Sequence, residues 1–86
     1  MKLDGLGKPL RDDAWYYIQD TRSTVGNCAL WWRTEAKGYT CDIDAAGQFR
    51  GVYARGLDRA TDVPWPAEAI EAGIVRHVRL DRVRGT

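Results

Sequence analysis

The sequence predicts an α+β fold: a small antiparallel sheet of about four strands with one or two short helices. Three stretches lead to that reading. Two aromatic, β-forming runs flank a polar turn in Cys28–Ile43 (CALWWRTEAKGYTCDI), and a third such run occupies Ala14–Thr21 (AWYYIQDT). Pro66–Ala72 has the proline-led start and the Gly73 stop of a short helix. A chain of 86 residues makes one domain. Four tryptophans, four tyrosines and one phenylalanine supply its core, each able to bury roughly 150–250 Å².

Met1–Asp13 carries Gly5, Gly7 and Pro9 among alternating charges and reads as a flexible N-terminal arm, with Leu6 and Leu10 free to dock. Residues 14–86 form the single α+β domain. In Ala14–Thr21 one face is Trp15/Tyr17/Gln19 and the other Tyr16/Ile18/Asp20. Neither is cleanly polar, so both meet protein or one meets a partner. Arg22–Asn27 follows as a turn, with Gly26-Asn27 suited to a tight reversal.

Cys28–Arg33 and Gly38–Ile43 then pair across Thr34–Lys37. With Arg33 opposite Gly38, Trp32 meets Tyr39, Leu30 meets Cys41 and Cys28 meets Ile43, which gathers six apolar groups on one face. That face is the expected core. Trp31 then points outward, and Cys28 and Cys41 become buried, free, diagonal neighbours.

Asp42–Gly47 offers a helical turn, with Asp44 the better N-cap. Gly47–Gly56 is rich in glycine, yet Phe49, Val52 and Tyr53 sit at helical spacing and predict a short irregular helix. Leu57–Trp65 reads as a loop stiffened by its prolines. Ile74–Arg84 reads as a last strand, with Val78 and Leu80 inward and His77, Arg79 and Asp81 outward.

Composition narrows the function. Thirteen basic residues against twelve acidic ones give a net charge of +1, which steers the chain toward neither nucleic acid nor membrane. Only the stretch from Ala72 to Thr86 is asymmetric, with four arginines against Asp81. Two cysteines do not make a disulfide framework, and MKLDGLGKPLRDD lacks the apolar region of a signal peptide, so a cytoplasmic location is expected. Zinc needs four ligands, and Cys28, Cys41 and His77 make three without a C-x-x-C pair, so no metal or other cofactor is expected. A Cys–His nucleophile pair fails on the predicted faces, and Asp42/Asp44 reads as a solvated strand end. No catalytic residue is assigned, and an enzyme is not expected.

The surplus of aromatic residues remains. Beside exposed arginines such rings suit either a protein-binding surface or single-stranded nucleic acid. The run YYIQDTR-S-TVGN-ALWW-R-GYT-DI-AG-F over Tyr16–Phe49, followed downstream by TDVPWP, resembles a group of small phage and prophage proteins. The departure from their pattern comes at RGVYARG, after Phe49. Many phage proteins of this size are anti-CRISPR or other anti-defence proteins that act by stoichiometric binding. The resemblance therefore implies an inhibitor that docks on a host CRISPR effector complex of type I, inside the bacterial cytoplasm. Trp31, Arg33, Lys37, Arg55, Arg59 and Trp65 are the expected protein contacts, and a homodimer is an alternative use of that surface. The competing expectation is a phage nucleic-acid-binding regulator using Arg76, Arg79 and Arg82 of the last strand.

Overall fold

The computed structural model describes residues 2–74. Over these residues the chain is an α+β fold: a five-stranded antiparallel sheet with two short helices. The strands are β1 (Trp15–Val25), β2 (Cys28–Trp32), β3 (Tyr39–Thr40), β4 (Phe49–Arg50) and β5 (Asp62–Pro66); the helices are α1 (Gly51–Arg55) and α2 (Ala67–Ala72). The described residues contain no helix long and apolar enough to cross a membrane. The expected strand over Ile74–Arg84 lies outside them from Val75 onward.

β1 is the hub. β5 pairs along one edge of it, from Tyr16 opposite Pro66 to Asp20 opposite Asp62. Its other edge is shared: β4 takes Trp15 and Tyr16, and β2 takes Gln19, Asp20, Thr24 and Val25. The strand runs four residues beyond the expected Thr21, because the bulge between Asp20 and Thr24 bends it without ending it. The reversal shrinks to Gly26-Asn27, with Gly26 at φ 59°.

β5 replaces the expected loop over Leu57–Trp65. Proline cannot donate to a ladder, yet alternate residues of a strand point their N–H groups to the same side. Pro64 and Pro66 occupy the outward register, where the Pro64 carbonyl accepts a hydrogen bond from the Gly5 N–H (2.8 Å). Val63 and Trp65, in the alternate positions, turn their backbone N–H groups to β1 opposite Gln19 and Tyr17. Val-Pro-Trp-Pro is therefore an edge strand.

Alternation along β1 sends Tyr17 and Gln19 to one face and Tyr16, Ile18 and Asp20 to the other. Both faces are covered. α1 lies over the second, where Leu10, Tyr16 and Ala54 form a cluster. α2 lies over the first, and the Tyr17 hydroxyl donates to Glu71 (3.0 Å). This double cover corrects the expected core. Trp32 does pair with Tyr39, as expected, and Arg33 does bond Gly38. Trp31, however, stands opposite Gln19 on the α2 side and packs edge-on against Tyr17, leaving 8% of it exposed. Trp32 is half-buried and Tyr39 exposed. The hairpin face chosen from its own pattern is only one of two packed faces.

Three smaller expectations change. Cys28 and Cys41 are free thiols, but both are exposed, because β3 ends at Thr40 and its pairing with β2 goes no further than Trp31 opposite Thr40. The turn Ile43–Ala45 is capped by Asp42, which accepts from the Asp44 N–H, not by Asp44. The expected helix over Gly47–Gly56 divides into β4 and α1. Gly51 opens α1 directly against the Arg11 carbonyl, leaving no room for a Cβ.

The N-terminal stretch is drawn onto this frame. Leu10 docks as expected, while Leu6 stays exposed. Asp4 is buried and accepts from the Leu6 and Lys8 N–H groups (2.8 and 3.0 Å), folding 4–8 into a turn.

Candidate functional site

At the Asp20–Asp62 end of the β1–β5 pair, two carboxylates are buried directly opposite each other, 3% and 2% exposed. Like charges in that register repel and need compensation. Two arginines supply it. Arg22, two residues along β1, bonds Asp20 through Nε and Nη2 (2.9 and 2.8 Å). Arg59, three residues before Asp62, does the same to Asp62 (2.8 and 3.1 Å). Side-on pairing of this kind fixes the plane of each guanidinium.

Both arginines then reach the same oxygen. Their Nη2 atoms donate to the Tyr39 hydroxyl at 3.2 Å from Arg22 and 3.4 Å from Arg59. The hydrogen bonds from Arg22 hold the Asp20 carboxyl below the usual carboxylate range, and they raise Arg22 in turn. Arg59 is raised by its bond to Asp62 and then by that to Tyr39. Each arginine stays about half exposed, so these are charges held at the surface by partners within it.

Beside them lies a depression of about 350 Å³, lined by Trp32, Ala36, Gly38, Tyr39, Tyr53 and Arg59. Its aromatic wall continues inward: Trp32 meets Phe49 edge-on at 5.9 Å, and Phe49 stacks on Tyr53 at 5.3 Å. Tyr39 and Tyr53 are 43% and 47% exposed. The Trp32 indole N–H is buried with no hydrogen-bond partner among the described residues.

The six expected contacts separate. Arg33, Lys37 and Arg59 sit on or beside the β2–β3 hairpin, Arg59 within the cluster itself. Trp31 is withdrawn, its exposure overturned by the α2 cover. Trp65 is half-buried, its indole lying against Gly5 and donating to Gln19 (2.9 Å). Arg55 is engaged with the N-terminal stretch, pairing with Asp12 and donating to the Leu10 carbonyl (2.8 Å). Arg76, Arg79 and Arg82 lie outside the described residues. The sequence reading missed Arg22, Tyr39 and Tyr53 as surface groups. The spacing Asp20-x-Arg22 and Arg59-x-x-Asp62 was the available signal, since each places a carboxylate within reach of a guanidinium.

Among the described residues no cluster of three or more metal-ligating side chains forms. Compared with protein-family models, curated proteins and solved structures, the chain matches none of them.

Proposed function

We propose that this protein works by stoichiometric binding and that, as its resemblance to small phage proteins implies, it is an anti-defence inhibitor directed at a host CRISPR effector complex of type I. One observation supports a binding role above the rest. Arg22 and Arg59 are held rigidly at the surface around Tyr39, next to an aromatic depression. Arginine and tyrosine are enriched among the residues that carry most binding energy at protein interfaces, and here they stand beside an aromatic depression. Arg33 and Lys37 extend the same hairpin with two more cations, partly offset by Glu35.

The test has two parts. Mixed with a purified type I effector complex, the chain should co-elute in fixed ratio, and its expression should restore plating of a targeted phage on an immune host. Failure of both would exclude the CRISPR target. Replacing Arg22 and Arg59 together by lysine should abolish co-elution, because an ammonium cannot keep the side-on aspartate bond and the Tyr39 contact at once.

A further inference from the structure

We propose that Arg22, Arg59 and Tyr39 form a seat for the carboxylate of an acidic side chain on a partner protein, with an apolar neighbour of that residue filling the depression over Trp32. This rests on the binding role proposed above and specifies the chemistry that the site accepts.

The arginines arrive already oriented. Asp20 and Asp62 consume Nε and Nη2 of each, and among the described residues both Nη1 groups are left without a partner. The Tyr39 hydroxyl accepts from both guanidiniums, which brings the two within hydrogen-bond reach of one oxygen. A planar carboxylate is the anion that paired, fixed guanidinium donors recognise best among protein groups.

Charge favours protein over nucleic acid. Arg22 and Arg59 are balanced by Asp20 and Asp62, and Arg33 and Lys37 are partly offset by Glu35. A phosphodiester strand draws its affinity from a run of uncompensated cations, which this face does not offer. One carboxylate needs only the local donors. The depression of about 350 Å³ accommodates a single large side chain and is walled by Trp32, Tyr39 and Tyr53.

The test is a titration of ¹⁵N-labelled protein, followed through the Trp32 indole and the Arg22 and Arg59 Nε–H resonances. Three probes are used: a blocked Phe-Glu-Glu peptide, its Phe-Gln-Gln counterpart and a short oligothymidylate. The acidic peptide should move all three resonances with a Kd on the order of 1 mM, and the amide peptide at least tenfold more weakly. Tyr39→Phe should weaken the acidic peptide several-fold, whereas Lys8→Gln, an exposed lysine of the N-terminal stretch, should leave it unchanged. If Tyr39→Phe loses its dispersed spectrum, Arg22→Lys carries the same comparison.

Equal response to both peptides would overturn the carboxylate seat. So would no movement up to about 10 mM, or a stronger response to the oligonucleotide, which would make the site a phosphate binder. The two proposals fail separately. Peptide binding without capture of an effector complex removes only the CRISPR target. Undiminished capture by the Arg22→Lys, Arg59→Lys double variant removes only the seat.

Discussion

Trp31 and Trp32 are adjacent, chemically identical and differently placed, which shows how little a single residue's type decides. Trp31 is nearly enclosed between Tyr17 and the α2 side, while Trp15 is 45% exposed and lies against the Arg50 guanidinium at 4.2 Å. Truncating an enclosed tryptophan removes its transfer energy and leaves a cavity, at a cost of about 3–5 kcal/mol. Losing an exposed ring with one cation–π contact costs about 1 kcal/mol or less. Trp31→Ala should therefore lower the stability measured by urea unfolding several times more than Trp15→Ala. Equal losses would mean that Trp31 is not the packed ring.

At the scale of elements, the β2–β3 hairpin carries the clearest backbone strain. Glu35 and Ala36 both lie in the left-handed region, at φ 60° and 57°, ahead of Gly38 at φ 97°. A Cβ in that region costs roughly 1–2 kcal/mol, less the extra chain entropy that glycine loses on folding. Ala36→Gly should then stabilise the fold by about 0.5–1 kcal/mol in urea unfolding. Because Ala36 lines the depression, the same change should also loosen peptide binding. A destabilised variant would show that the turn is unstrained.

The sequence made this hairpin legible because Trp32 and Tyr39 leave one register that keeps apolar groups together. Central β1 was legible too, through its aromatic density. Hidden was everything that depended on what lay over the sheet. Only the finished packing of α2 decides between Trp31 and Trp32, and the outward register of Pro64 and Pro66 becomes visible only once β1 is their partner. The cluster at Tyr39 joins residues 20, 22, 39, 59 and 62, and no local pattern announces a contact across forty positions.

For the molecule as a whole, two titrating groups bracket the pH range of stability. Asp20 is held below the usual carboxylate range, chiefly by its hydrogen bonds from Arg22. A carboxyl whose folded pKa is depressed contributes stability above its unfolded pKa of about 3.9 and loses it as pH falls through the folded value. Tyr17 shifts the other way: burial raises it above 10.0, with its bond to Glu71 adding to the effect. A phenol whose folded pKa is raised contributes stability below about pH 10 and loses it as pH rises through the folded value. Melting temperature against pH should thus show a plateau falling away at both ends. Asp20→Asn should flatten the acid limb without touching the alkaline one, and Tyr17→Phe should do the reverse. The acid limb also reaches the binding face, because protonating Asp20 releases Arg22 from its fixed plane beside Tyr39. At neutral pH, where the peptide's own carboxylates stay ionised, peptide binding should therefore weaken in the folded Asp20→Asn variant, and undiminished binding there would show that Asp20 does not hold the seat in place.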